Sequence, residues 1–302
     1  MRRPAPIPPE LGSAFSVAAA RAAGVSDRRL RGRDLERPYR GIRVVASATA
    51  GLPTEARIVE AARRYHARLP ADHVFCGITA LAIHGVDLPA RLSAEQLHVN
   101  GPLDRARPVI PGVIGHRFSD VQSFEVDGLR VVSVVQAWVQ AAPRLTIDEL
   151  VEVGDAIVRR KNPLATIQDL VMAAAAAGRR PGANRLREAI RWVRPRTDAP
   201  PETRLRLLII RAGFPEPEVN APIRDASGHV LGHGDLVYSP WRIDIEHDGE
   251  YHFATPEQGR HDLDRQASFV RAGWLPLHAH RGTFIRPKLF LDDLARAIHS
   301  RS

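Results

Sequence analysis

The sequence predicts an α/β chain of three parts. These are a small basic winged helix over residues 1–50, an α/β middle domain over 51–194, and an α/β domain with a mixed central sheet over 200–302. Three observations lead there. The chain has 302 residues, 44% hydrophobic and 25% charged, which is the balance of folded domains and enough length for more than one core. Helix-start and strand signals alternate along most of it. The formal charge of +9 is unevenly placed, with +6 on residues 1–50, +4 on 51–200 and −1 on 201–302.

Composition excludes several classes. The single cysteine, Cys76, rules out intramolecular disulfides and Cys-rich zinc sites. No apolar run approaches the ~18 residues needed to span a bilayer. Met1-Arg2-Arg3-Pro4 leads into prolines rather than an apolar stretch, so neither a membrane segment nor a secretory signal is expected, and the expected location is the cytoplasm. Only two of the 43 basic residues, Lys161 and Lys288, are lysines. An arginine excess of this kind fits a GC-rich genome. Its concentration at the front also suits phosphate contacts with nucleic acid.

The first fifty residues read as helix, turn, basic helix and basic hairpin. An alanine-rich helix over 16–23 has Ser16 as N-cap and Gly24 as its stop. Ser26 caps a second helix over 27–31, with Asp27 at the positive end of its dipole. Residues 35–45 form two short strands around a basic turn. In a winged helix-turn-helix of this order, Arg28, Arg29 and Arg31 face the major groove and Arg37, Arg40 and Arg43 lie on the wing. The plain alternative is a solvated charged face on a small structural module. The Phe15-Ser16 start, the Gly24-Val25-Ser26 turn and the Tyr39-Arg40-Gly41-Ile42 wing resemble the N-terminal winged helix of AbiEi-type antitoxins of type IV toxin–antitoxin systems. That resemblance implies DNA binding and leaves a toxin partner open.

The middle alternates helices (58–67 and 79–84) with strands (74–76, 96–99 and 113–116) and a hairpin over 124–132 around Asp127-Gly128. Thr146 and Glu149 form a capping box. A helix from Thr166 to Gly178 and another over 183–193 follow, then a proline-rich linker over 195–201. His84, His98 and His116 read as structural histidines. The Ala80-to-Gly85 stretch again resembles the AbiEi-type family, which implies a nucleotidyltransferase-like fold here without carrying over any active residue.

The last hundred residues read helix, three strands, helix, strand, helix. Pro200-Pro201-Glu202 opens the first helix, with Leu205, Leu208, Ile209 and Ala212 on one face. Strands cover 218–224, 230–238 and 241–247. Thr255 and Pro256 start a helix that ends at Gly273, followed by a strand over 274–279 and a helix over 289–299. Asp235 lies on the second strand. Asp244, Glu246 and Asp248 alternate along the third, so they share a face, and Glu202 sits on the first turn of the preceding helix. Such acids can merely line a solvated strand. If they converge, two carboxylates ~4 Å apart repel by about 4 kcal/mol at an effective dielectric of 20, which calls for a cation or raised pKa values. Hard oxygen donors suit Mg²⁺ or Mn²⁺.

The ordered set Glu202, Gly234-Asp235-Leu236, Glu246-His247-Asp248-Gly249, His252, Asp262 with Arg265, and Gly273-Trp274 is similar to the very-short-patch-repair-like endonucleases of the PD-(D/E)XK superfamily. The resemblance covers residues 200–296 and implies a restriction-endonuclease-like fold that hydrolyses DNA phosphodiesters with Mg²⁺ or Mn²⁺. It makes Asp235, Glu246 and Asp248 the metal ligands and adds Glu202 and His252 to the catalytic set, with His252 transferring protons. A homodimer is left open. Asp248 stands at the superfamily's usual lysine position, Gln266 replaces a carboxylate, His278 an arginine, and Asp244 an apolar residue. These departures support the alternative of a non-catalytic DNA-binding regulator, an antitoxin-like repressor with a degenerate nuclease domain.

Overall fold

The computed structural model describes residues 4–45, 51–92, 96–119, 121–248 and 256–302, with side chains throughout except at 256–263. It is an α/β protein whose chain divides into two compact units. One comprises Met1–Leu145 with Ala173–Ala183, the other Thr146–Met172 with Asn184–Ser302.

The first unit opens with β1 (Ala14–Ser16), α1 (Val17–Ala22), β2 (Leu35–Glu36) and β3 (Ile42–Val45), the strands forming an antiparallel sheet of order β1-β3-β2. Ser16 caps α1, its Oγ accepting the Ala19 N–H at 2.9 Å. Phe15, Ala20, Val25, Leu30 and Leu35 make a small core beneath. The expected basic helix over 27–31 is shorter than read, a single 3-10 turn at Arg29–Arg31. Its third residue already bonds back only to Arg28, and Gly32 closes it on the Arg29 carbonyl, so no second turn can follow.

A six-stranded mixed sheet follows. Its elements are α2 (Thr54–His66), β4 (Val74–Phe75), α3 (Gly77–Ile83), β5 (Leu97–Asn100), β6 (Val109–Ile110), β7 (Val113–His116), β8 (Ser123–Val126), β9 (Leu129–Val132) and α4 (Val134–Ala141), with strand order β6-β7-β5-β4-β9-β8. The β8–β9 turn has Asp127 at φ 49° and Gly128 at φ 75°, both left-handed, as the tightest hairpin turn needs. The histidines pack as structural groups. His84 Nε2 lies 2.8 Å from the Val132 carbonyl, and the His98 and His116 rings stack with Nδ1 and Nε2 2.9 Å apart. Burial pushes these two down to about 3 and about 4, which keeps them neutral.

In the second unit α5 (Ile147–Ile157) begins at the expected capping box, Thr146 and Glu149 exchanging bonds of 2.8 and 3.2 Å. Along the chain follow α6 (Ile167–Ala176) and α7 (Ala183–Ala189), of which Ala173–Ala183 belongs to the first unit, and then, in the second, α8 (Pro200–Arg211), β10 (Glu218–Arg224), β11 (Val230–Tyr238), β12 (Ile243–Asp248), α9 (Pro256–Arg271), β13 (Leu275–His280) and α10 (Lys288–His299). The residues 195–201, read as a linker, fall inside this unit. The sheet runs β10-β11-β12-β13, antiparallel until β12 and β13, which are parallel and joined through α9. Leu236, Tyr238, Ile243 and Ile245 pack with Leu205 and Ile209 of α8 and Phe290 and Leu294 of α10. Ala221, Ile223 and Val237 pack on the other face with Phe269 of α9 and Trp274. The third strand starts later than read, because Ser239–Trp241 form a 3-10 turn and Arg242 takes φ 49°.

A buried ion pair pins α5 to α8. Arg206 Nη2 donates to Asp155 Oδ2 at 2.7 Å, and these side chains are 0% and 1% exposed. Thr203 Oγ1 at 2.8 Å and the Arg194 N–H at 2.7 Å complete the donors to Asp155. Arg206 also reaches the Trp192 carbonyl and Glu216. No helix of the described residues is long and apolar enough to cross a membrane.

Candidate functional site

The β11–β12 ladder runs Tyr238↔Ile243, Val237↔Asp244, Leu236↔Ile245 and stops there. At the next step Asp235 Oδ2 accepts the His247 N–H at 3.0 Å, so a carboxylate takes the place of a strand-to-strand carbonyl. On the other flank Asn220 of β10 adopts φ 44°. That left-handed residue reverses which way β10 and β11 present their side chains. Val219 and Leu236 join the core under α8, whereas Ala221 faces the α9 side and Gly232 lies against Phe269. Asp235 sits at this reversal.

Three carboxylates meet beside it. Asp244 is 1% exposed and fits only because Gly234 lacks a Cβ, which would stand 1.8 Å from Asp244 Oδ1. Burial and then the charge of Asp235 push Asp244 up to about 6. Burial, followed by the charges of Asp235 and Asp244, pushes Glu246 up to about 9, so at neutral pH Glu246 keeps its proton and donates it to Asp244. Asp235 is also raised, chiefly by burial, against the opposing His247 N–H and Arg265. Arg265 of α9 is the nearby cation. Its Nη1 donates to the His233 carbonyl at 3.0 Å and lies 3.6 Å from Glu246 Oε1, with the guanidinium stacked 5.6 Å from the Phe269 ring centre. Asp244 Oδ1 and Glu246 Oε1 are buried with no hydrogen-bond partner among the described residues.

Glu202 approaches from α8. It is 5% exposed, and its Oε2 accepts the Asp198 N–H at 3.0 Å and Asn220 Nδ2 at 2.8 Å. Burial, then Asp235, lifts it to about 7. The structure therefore brings together Glu202, Asp235 and Glu246 from the sequence-derived set. It adds Asp244, whose place on the alternating acid face was legible, and Asn220 and Asp198, which no local pattern marked as partners; Arg265, part of the ordered set that carried the resemblance, lies beside Glu246.

Asp248 does not join them. It ends β12, and its side chain turns to solvent instead of into the group. Its carboxylate is exposed and lies 3.1 Å from His278 Nδ1. His252 lies outside the described residues. Among the described residues no three His, Cys, Asp or Glu side chains form a ready-made metal cage. The chemistry of the buried group still suits a hard cation. It offers oxygen donors only, two of them without hydrogen bonds among the described residues, in carboxyls whose pKa values burial raises.

The N-terminal arginines divide into two kinds. Arg28, Arg31, Arg37 and Arg40 are exposed. Arg29 forms a two-pronged pair with Asp34 at 3.0 and 2.7 Å, and Arg43 spends its guanidinium on the Leu30 and Ile42 carbonyls at 2.7 and 2.8 Å. These two hold the segment together instead of facing outward. The wing is docked as well, with Tyr39 edge-on to Tyr65 of α2 at 5.1 Å and Glu36 paired to Arg64 at 2.8 Å.

Over 202 residues the chain is 26% identical to two proteins of Mycobacterium tuberculosis, the uncharacterized proteins Rv2248 (strain ATCC 25618 / H37Rv) and MT2308 (strain CDC 1551 / Oshkosh). The matched stretch covers 67% of this chain and 72% of each relative. No family model matches the chain, and no solved structure matches it.

Proposed function

We propose that the second unit is a metal-dependent DNA endonuclease, with exposed arginines of the first fifty residues adding affinity for the duplex. One observation carries this reading. Asp244 is buried and Asp235 and Glu246 half-buried at the point where β11 and β12 part; the charge of Asp235 raises both Asp244 and Glu246, and that of Asp244 raises Glu246 further. Carboxylates cost several kcal/mol to bury without compensation, so an underpaired group of this kind points to a ligand of opposite charge. Asp235 and Glu246 are the residues that would hold Mg²⁺ or Mn²⁺. Such a cation supplies Lewis-acid charge that stabilises the anionic phosphoryl oxygens and eases the ionisation of water.

The chain's own groups do the rest. The His247 N–H fixes Asp235, and Asn220 with the Asp198 N–H fixes Glu202, so both carboxyls are oriented in advance. Glu202, at about 7, can hold or release a proton near neutral pH. Arg265 offsets negative charge beside Glu246. His278, paired with Asp248, stands where β12 and β13 run in parallel register at Glu246↔His278.

A second reading has its own support. The proton shared by Glu246 and Asp244, together with Arg265, neutralises much of the cluster internally. A DNA-binding regulator with a silent nuclease fold fits that balance. Incubating the full-length protein with supercoiled and with mismatched plasmid in Mg²⁺ or Mn²⁺ separates the two. The nuclease reading expects metal-dependent nicking that falls by at least about 10²-fold in Glu246→Ala. Absence of nicking, or nicking unchanged by that substitution, overturns it in favour of the regulator.

A further inference from the structure

The acidic site has a cationic side that comes from far away in the sequence. Arg159, Arg160 and Lys161 follow α5, about 75 positions before Asp235, and belong to the same compact unit. Their turn is a built structure. Asn162 takes φ 51°, its carbonyl accepts from Arg159 Nε at 3.2 Å, and the Leu164 N–H returns to the Ile157 carbonyl at 2.8 Å. The Asp155–Arg206 pair anchors the helix that carries the turn. Arg160 Nε donates to Asp198 Oδ1 at 3.2 Å, and its second prong binds the other oxygen of the same carboxylate. The Asp198 N–H in turn holds Glu202. Arg160 is stabilised by Asp198 first, then by the charges of Glu202 and Asp235. Lys161 is 74% exposed, its ammonium 3.9 Å from Asp198 and beyond hydrogen-bond distance.

A phosphodiester is an anion and must approach four carboxyl groups to reach this site. Like charges at contact distance repel strongly, so an anionic substrate needs cations along its approach. Arg160 binds Asp198 through Nε and Nη2 and, unlike Arg29, whose three nitrogens are all engaged, keeps Nη1 for a second anion, while Lys161 offers a mobile point charge in water beside it. We infer that Arg160 and Lys161 form a phosphate-holding arm that seats the nucleic-acid backbone beside Asp235 and Glu202. This inference rests on the nucleic-acid reading of the same site, and it predicts binding, not cleavage.

The test is the salt dependence of duplex binding. A short DNA duplex is titrated with full-length protein in Ca²⁺, and log K is followed against log salt for wild type, Lys161→Gln and the pair Arg160→Gln/Lys161→Gln. A control pair, Lys288→Gln/Arg296→Gln, removes the same charge from α10, which packs on the sheet face opposite α9. Removing one cation that neutralises a phosphate should flatten the slope by about 0.9. The arm therefore expects a change of about 0.9 for Lys161→Gln and about 1.8 for the pair, with affinity at least ten-fold lower for the pair and little change for the control. Lys161→Gln breaks no hydrogen bond of the fold, so it keeps the inference testable if the pair unfolds. Equal losses in arm and control, no loss at all, or no duplex binding by wild type would each overturn it. Wild type that nicks plasmid while the arm variants bind normally removes the arm and spares the nuclease. Arm-dependent binding without nicking does the reverse.

Discussion

The second unit buries charge in two places, and they are handled in opposite ways. At Asp155 and Arg206 both carboxylate oxygens meet donors, and of the guanidinium nitrogens only Arg206 Nε lacks a partner among the described residues. Asp155 receives Arg206, Thr203 and the Arg194 N–H, and Arg206 also reaches Trp192 and Glu216. At Asp235, Asp244 and Glu246 three acids gather beside the guanidinium of Arg265, and two of their oxygens have no hydrogen bond among the described residues. The first arrangement joins two helices. The second leaves a deficit of positive charge that something else must supply. Buried charge alone thus says little about function, and the completeness of its partners says more.

The sharpest way to break this contrast is to remove one partner from the Asp155–Arg206 pair. Asp155→Ala leaves Arg206 buried and unpaired, and should destabilise the unit by about 3–5 kcal/mol. The midpoint of urea unfolding reads this directly. Asp244→Asn, in the deficient cluster, should cost far less or raise stability, since it removes one of three mutually repelling acids. If the two substitutions destabilise equally, the acid cluster is structural and the contrast is void.

The next effect is on pH. Glu246 near 9, Glu202 near 7 and Asp244 near 6 all lie above their ordinary values. Raised carboxyls bind protons more tightly folded than unfolded, so their contribution is full below the ordinary carboxylate range and is lost as pH climbs through the folded values. Stability should therefore fall between about pH 6 and pH 9, by at least about 2 kcal/mol at ~1.4 kcal/mol per pH unit for each proton released. Glu246→Gln should flatten most of that slope, and Mn²⁺ should raise the melting temperature more at the alkaline end than at the acid end. A stability profile that is level or rising across this interval, or one that Glu246→Gln leaves unchanged, would show that the three acids are not coupled.

The elements of this unit were legible in the sequence because each carries its own local cause. Thr146 and Glu149 announce α5, Pro200 and Pro201 announce α8, and the alternation of Ile243 and Ile245 with Asp244 and Glu246 sets the two faces of β12. Alternation also put Asp248 on the acid face, but it ends the strand and pairs with His278 in solvent instead. The partners that decide the chemistry were not legible. Arg160 reaches the site only because the Asp155–Arg206 pair brings α5 against α8, and nothing local to Arg160 records that. The sequence boundary near residue 195 separated these groups because prolines mark turns, including turns inside a unit. The basic helix over 27–31 failed for a related reason: the segment had a cap and charge but too few residues to close a second turn.

The same test of completeness applies, at smaller scale, to the N-terminal arginines. Arg29 is paired to Asp34 by both prongs, with the Arg29 side chain 12% exposed and that of Asp34 40%. Solvent screens such a pair, so Arg29→Ala should cost about 1 kcal/mol of stability. Arg28 and Arg31 are exposed, and their replacement by alanine should move stability by no more than about 0.5 kcal/mol. Their effect belongs in DNA binding, where each phosphate left without its arginine flattens the salt slope by about 0.9. The two readouts should therefore separate, stability answering to Arg29 and the salt slope to Arg28 and Arg31. If Arg29→Ala flattens the slope while Arg28→Ala and Arg31→Ala do not, the arginine fixed by Asp34 is the one that reads the backbone. Pairing would then be a way of aiming a DNA contact, and the distinction drawn between satisfied and unsatisfied charge would fail at the protein surface.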